Sequence, residues 1–192
     1  MQNLNPTRIF ILIAITAGLI TVAISMYLLF LAQSQSAVIS IEDNKHQTSQ
    51  IGGNFVLTDQ NNKVFKSTDL NGHVSLIYFG YTRCPYHGSI EMEKLVEIKK
   101  HMNDSHIPVQ IVFITLDPEH DTPKVLKKYL MQFDPTFIGL TGTIKQIKQV
   151  ADKYRVYYEK QAEGEHFKHS ALLYLMKING SFLKYFCVMP NC

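Results

Sequence analysis

The chain has 192 residues, 46% of them apolar, and carries 19 basic against 16 acidic residues for a net charge of +3. That length suits one globular domain with appendages. The bases are interleaved with acids, as where Lys94, Lys99 and Lys100 sit among Glu91, Glu93 and Glu97, which reads as a solvated mixed surface and excludes an electrostatic footprint for nucleic acid. Three cysteines, Cys84, Cys187 and Cys192, are too few for a disulfide scaffold.

Residues 1–8 precede an uncharged apolar run of 24 residues, Ile9–Ala32. About 20 apolar residues span a bilayer, whereas the apolar core of a cleaved signal peptide is about 7–15 residues, so the run is expected to be a transmembrane anchor. Arg8 is the only charge before it, and Glu42 and Asp43 are the first after it. The positive-inside tendency then places the N-terminus in the cytoplasm and the rest outside. Residues 33–50 are polar and rich in Gln and Ser, a tether. The folded domain is expected over 51–192.

Asn54–Thr58 and Lys63–Phe65 flank the turn-rich Asp59–Asn62 and predict a hairpin. Val74–Phe79 is a near-continuous apolar strand, as expected of one buried on both faces. Gly80 ends it. A short loop carries Cys84, Pro85 opens a helix, and the helical pattern runs over Ser89–Met102. Val109–Leu116 is a second buried strand, followed by Asp117-Pro118. Asp121 or Thr122 caps the next helix, with Pro123 at its first position and its end near Phe133. Phe137–Leu140 is a short strand, and a helix from Thr141 or Thr143 reaches about Tyr154. Ser170–Met176 and Ser181–Val188 flank Asn179-Gly180, a strong hairpin signal. The order predicts an α/β three-layer domain with a thioredoxin-like arrangement, an extra N-terminal β-hairpin and one preceding transmembrane helix.

Cys84 follows the first central strand at a helix start, where unpaired backbone N–H groups and the helix dipole favour a thiolate. In open α/β sheets the reactive edge is the carboxyl end of the parallel strands. Asp117 and Pro118 lie at that edge, and so do His169, at the start of the first strand of the terminal hairpin, and Cys187, near the end of the second. A thiolate with an imidazole suits copper or zinc, and equally a His-activated nucleophilic cysteine. A two-residue turn at Asn179-Gly180 sets Cys187 opposite Leu172, on the other sheet face from His169. A Cys187–Cys192 disulfide and two free thiols both remain open. Asp121 reads as a helix cap, Asp117 as a turn-former ahead of a hydrogen-bonding group near the site, and Tyr78, Phe79, Tyr81 and Phe113 as core.

Four segments in order, TRCP at 82–85, ITLDPEHDTPKVLKKY at 114–129, FDPTFIGLTGT at 133–143 and HSALLYLMKINGSFLKYF at 169–186, resemble the Sco/SenC family, over about residues 52–186. The resemblance implies a thioredoxin-like, membrane-tethered copper protein rather than an enzyme. Its partner would be the copper-bearing subunit of cytochrome c oxidase, whose binuclear centre the family helps assemble. With no Arg- and Ser-rich transit segment before the anchor, the compartment is the bacterial periplasm ahead of the mitochondrial inner membrane. The family holds copper with two cysteines in C-P-x-x-x-C form and one histidine in a late H-S motif. Cys84 and His169 carry over, but Gly88 occupies the position of the second cysteine. His87, His166 and Cys187 are candidates to replace it, with His87 adjacent to the vacancy. Lys168 stands where the family commonly has an acid. The alternatives are a thiol-disulfide or peroxide-linked redox protein acting through Cys84, and a family member that has lost copper.

Overall fold

A computed structural model describes residues 24–28, 51–85, 88–161 and 166–188. The chain divides into two units, residues 1–49 and 50–192. In the first, residues 24–28 are helical and exposed. The rest of the expected Ile9–Ala32 anchor, and the tether, lie outside the described residues. Among the described residues no helix is long and apolar enough to cross a membrane.

The second unit is built on a seven-stranded sheet in the order β2-β1-β5-β4-β3-β8-β9. At its centre, β3 (Val74–Gly80) and β4 (Val109–Thr115) pair in parallel, and β5 (Ile138–Thr141) continues the parallel set beside β4. The expected N-terminal hairpin is β1 (Val56–Asp59) with β2 (Val64–Lys66), and β1 docks antiparallel on β5. On the other side, β8 (Leu172–Met176) runs antiparallel to β3, and β9 (Phe182–Cys187) forms the edge.

Alternation along β3 divides the core. Leu76 and Tyr78 pack with Met92 and Leu95 of α1 (Gly88–Asp104) and with Leu126 and Leu130 of α2 (Pro123–Leu130). Ile77 and Phe79 pack on the opposite face with Ile147, Val150 and Tyr154 of α3 (Ile144–Tyr154). Covered on both faces, the central strands need no polar alternation, which is why VSLIYFG and VQIVFIT read as continuous apolar runs. Each fully buried large side chain contributes about 1.5–3 kcal/mol of transfer free energy.

The layers approach closely at Gly139, where an added Cβ would stand 2.5 Å from Leu130 Cδ1 and 3.4 Å from Leu126 Cβ. Gly139→Ala should therefore lower stability by about 1–3 kcal/mol through overpacking, read as a fall in the urea midpoint at unchanged slope.

Three boundaries differ from expectation. Helix α2 ends at Leu130 rather than near Phe133, because Asp134 precedes Pro135 and is disfavoured in the helical region. The terminal turn is one residue longer than a two-residue hairpin. It closes from the Lys177 N–H to the Ser181 carbonyl at 2.8 Å, with Gly180 at φ 75°. A bulge at Leu183 then cancels the extra residue, so Cys187 still faces Leu172 as expected. Finally, β6 (Tyr158–Lys160) and β7 (Phe167–His169) form a separate two-stranded sheet. His169 thus closes β7 instead of opening β8, three residues before Leu172.

Candidate functional site

Gly80 lets the chain leave β3 over two aromatic rings: a Cβ there would meet Tyr78 at 2.8 Å and Phe113 at 3.2 Å. The chain then turns, with the Cys84 N–H donating to the Tyr81 carbonyl at 3.3 Å. Cys84 is half-buried. Its Cβ lies 3.2 Å from where a Cβ on Gly88, the first residue of α1, would stand. The cysteine therefore sits at the helix N-terminus, as expected, although the helix begins at Gly88 and Pro85 is outside its first turn. His87 lies outside the described residues.

His169 meets this cysteine from the far side of the chain, 85 positions later. Its imidazole lines the same pocket as the Cys84 side chain. Its Nδ1 faces the Ser170 carbonyl at 3.3 Å, and a proton placed there leaves Nε2 as the ring's lone-pair donor. Burial works to depress the imidazole. The Cys84 side chain, the Ser170 carbonyl and the negative charge of Glu91 outweigh it and hold the pKa above its ordinary value.

Tyr78, Tyr81, Glu91, Phe113 and Tyr129 enclose the pair. Tyr78 and Tyr81 present their rings edge-on to His169, with centroids 6.4 and 5.8 Å away. Glu91, grouped by its charged neighbours with the solvated face of α1, is only 3% exposed and accepts a hydrogen bond from the Tyr78 hydroxyl. It shares the inward face of α1 with Met92 and Leu95. Burial, then the adjacent Glu91, pushes the Tyr78 phenol well up. Burial also raises Tyr129 and carries Tyr81 to about 12.

A polar network holds the cysteine loop from below. Asp121 is not the helix cap: Thr122 is, its Oγ1 accepting from the Val125 N–H at 3.4 Å. Asp121 is fully buried and accepts from the Thr82 N–H at 3.0 Å, the Thr82 hydroxyl at 2.5 Å and the Thr115 hydroxyl at 2.6 Å. Asp117, 2% exposed, pairs with Arg83 at 2.9 Å and faces His120 Nδ1 at 2.9 Å. It is more than a turn-former, since it anchors the residue before Cys84.

The other candidates stand apart from the pair. His166 precedes β7, and its carbonyl accepts from the Gln161 N–H at 2.9 Å. Lys168 is exposed. Cys187 is exposed on the edge strand, opposite Leu172. Cys192 lies outside the described residues. Among the described residues no three His, Cys, Asp or Glu side chains are arranged to hold a metal ion. A soft sulfur and an imidazole lining one pocket can bind a soft metal ion of low coordination number, or activate the thiol as a nucleophile.

The SCO1/SenC family model matches residues 43–189. A SCO2-like protein of Rickettsia felis is 40% identical over 192 residues, covering 97% of this chain and 91% of the relative. A SCO2-like protein of Rickettsia bellii is 42% identical over 188 residues, covering 94% and 91%. Among solved structures, Arabidopsis thaliana ScoI with copper bound superposes with a TM-score of 0.68 at 37% identity, covering 71% of this chain and 88% of that one. Bradyrhizobium japonicum ScoI with copper bound gives 0.66 at 39% identity, covering 73% and 91%.

Proposed function

Since the chain belongs to the SCO1/SenC family, we propose that it handles copper as cargo, taking a cuprous ion between Cys84 and His169 and passing it toward the binuclear copper centre of cytochrome c oxidase. Its domain has the mixed α/β, thioredoxin-like fold of Sco structures. The observation that carries the proposal is that Cys84 and His169, 85 positions apart in the chain, line one pocket. Solved relatives at 37–39% identity carry copper, and the donors of this pair have the softness that copper favours.

The donor set narrows the proposal. With Gly88 in place of a second cysteine, the pair supplies one thiolate and one imidazole. That fits Cu(I), which accepts two or three ligands, and does not fill the tetragonal shell of Cu(II). Cys84 holds the ion as thiolate, so its proton must leave on loading. His169 offers its unprotonated nitrogen. Tyr78, Tyr81, Phe113 and Tyr129 form an aromatic wall around the half-buried Cys84. We read the protein as a carrier and not an enzyme, anchored by Ile9–Ala32 with its domain in the periplasm, delivering to the oxidase's copper-bearing subunit.

Competitive Cu(I) titration of the full-length protein tests this. Cys84→Ala should weaken binding on the order of 100-fold or more, about 2.7 kcal/mol, and His169→Ala about tenfold, about 1.4 kcal/mol. Equal affinity in wild type and Cys84→Ala would sink the proposal and favour a member that has lost copper. A second reading rests on the same pair: an imidazole against a thiol is also how a reactive cysteine is activated. Cys84-dependent consumption of peroxide or of a disulfide, without cysteine-dependent copper binding, would favour that reading.

A further inference from the structure

We propose that the Tyr81 hydroxyl is a positioning group that fixes His169 against Cys84 by fastening the β6–β7 arm to the cysteine loop. The arm is a sheet of its own, with Tyr158 opposite His169 and Lys160 opposite Phe167. Flanking bonds run from the Gln161 N–H to the His166 carbonyl and from the Ser170 N–H to the Tyr157 carbonyl. In an antiparallel ladder bonded pairs alternate with unbonded ones, so the N–H and C=O of Phe167 point away from β6. The Tyr81 hydroxyl meets both: it accepts from the Phe167 N–H at 3.1 Å and donates to the Phe167 carbonyl at 3.2 Å. One side chain thus takes the place of a missing strand on the outer edge of β7, two residues before His169.

The same residue reaches the cysteine. Its carbonyl receives the Cys84 N–H at 3.3 Å, and its ring lines the same pocket as Cys84 and His169. Its ring lies edge-on to Phe167 at 5.4 Å and to His169 at 5.8 Å. Tyr81 is 2% exposed, so nearby water cannot replace the hydroxyl cheaply. Tyr78 also presents its ring edge-on to His169, at 6.4 Å, but its hydroxyl is bound to Glu91. Tyr81 thus joins the cysteine turn, through its carbonyl, to the backbone of the histidine's strand, through its hydroxyl.

This deepens the copper-handling reading and rests on it for its purpose, but its test uses no copper, so the two can fail separately. Tyr81→Phe keeps the ring and removes the oxygen. In the full-length protein, amide exchange at Phe167 should accelerate about tenfold or more, while amides of β3 and β4 keep wild-type protection and report an intact fold. Alkylation of Cys84 by iodoacetamide at fixed pH should shift toward the His169→Ala value. In the double variant Tyr81→Phe/His169→Ala, loss of the hydroxyl should add nothing, because its effect on sulfur passes through the histidine. Unchanged exchange at Phe167 would overturn the proposal. So would faster exchange with wild-type alkylation, or additive effects in the double variant, since these mark a packing role only.

Discussion

Gly88→Cys is expected to add a third donor to the proposed Cys84–His169 copper site and so strengthen it. Gly88 opens α1 without a positive φ, so a cysteine enters without backbone strain. Its Cβ would stand 3.2 Å from Cys84 Cβ and 3.4 Å from the Tyr129 hydroxyl. Disulfides have Cβ separations of about 3.5–4.5 Å, so a shift of a few tenths of an ångström brings the two sulfurs into bonding range. In the reduced variant a second thiolate joins Cys84 and His169, and Cu(I) affinity should rise on the order of 100-fold, about 2.7 kcal/mol. Under mild oxidation the two thiols close, Cys84 becomes resistant to alkylation, and the gain in affinity disappears with the thiolates. Wild type should show neither the gain nor this oxidative protection. Cu(I) competition titrations under reducing and oxidising conditions, with mass mapping of alkylated Cys84, read both effects. If reduced Gly88→Cys binds no more tightly than its parent, copper is not seated on the Cys84–His169 pair.

That result bears on why a family member would keep one cysteine of two. On the proposed copper-carrying role, a site with two protein donors would leave coordination positions for a ligand from an acceptor, so the ion could bridge both proteins during transfer without first losing a protein bond. It would also hold the ion less tightly, which favours release. Having no thiol at 88, the loop cannot form its own disulfide, and reversible two-electron chemistry within it is removed.

How much of this was legible in the sequence depends on which force holds each part. The central strands were, because burial on both faces writes a continuous apolar run. The start of α2 was too, because Thr122 and Pro123 carry their capping roles locally. The register of the last hairpin was reached through two compensating departures, a longer turn and the bulge at Leu183. The β6–β7 arm was not legible: YEK and FKH have no hydrophobic period, and backbone pairing holds them. Cys84 and His169 could be placed at one edge from topology. Their enclosure could not, since Glu91 is disguised by charged neighbours on α1 and Tyr81 by resembling a core aromatic. The hydroxyl of Tyr81 finds a backbone partner 86 residues away, which no local pattern encodes.

The largest loss of stability from a single polar substitution is expected at Asp121. Its carboxylate is fully buried, and it fastens the cysteine loop to the end of β4 through Thr82 and Thr115. Asp121→Ala orphans the half-buried Thr82 N–H and hydroxyl and the buried Thr115 hydroxyl, and about 3–5 kcal/mol should be lost. Asp121→Asn keeps the shape and behaves differently with pH. Burial raises the Asp121 carboxyl above its ordinary value, against the Thr115 and Thr82 hydrogen bonds that lower it and with the adjacent charge of Asp117, itself paired to Arg83 and facing His120. The folded state therefore holds this proton more tightly than the unfolded chain. Below the ordinary carboxylate value, about pH 4, both states are protonated at this site. As pH rises from there through the raised folded value, the unfolded state deprotonates first and stability falls. Asp121→Asn should abolish that component of the fall, so the wild-type and Asn curves of urea midpoint against pH should converge or cross over the window. Parallel curves across it would show that Asp121 does not titrate as its burial dictates. Because Thr82 lies two residues before Cys84, the Ala variant should also bind Cu(I) more weakly under conditions where it is still folded. An Ala variant that lost stability but kept full Cu(I) affinity would show that the clamp below the loop does not set the position of the sulfur.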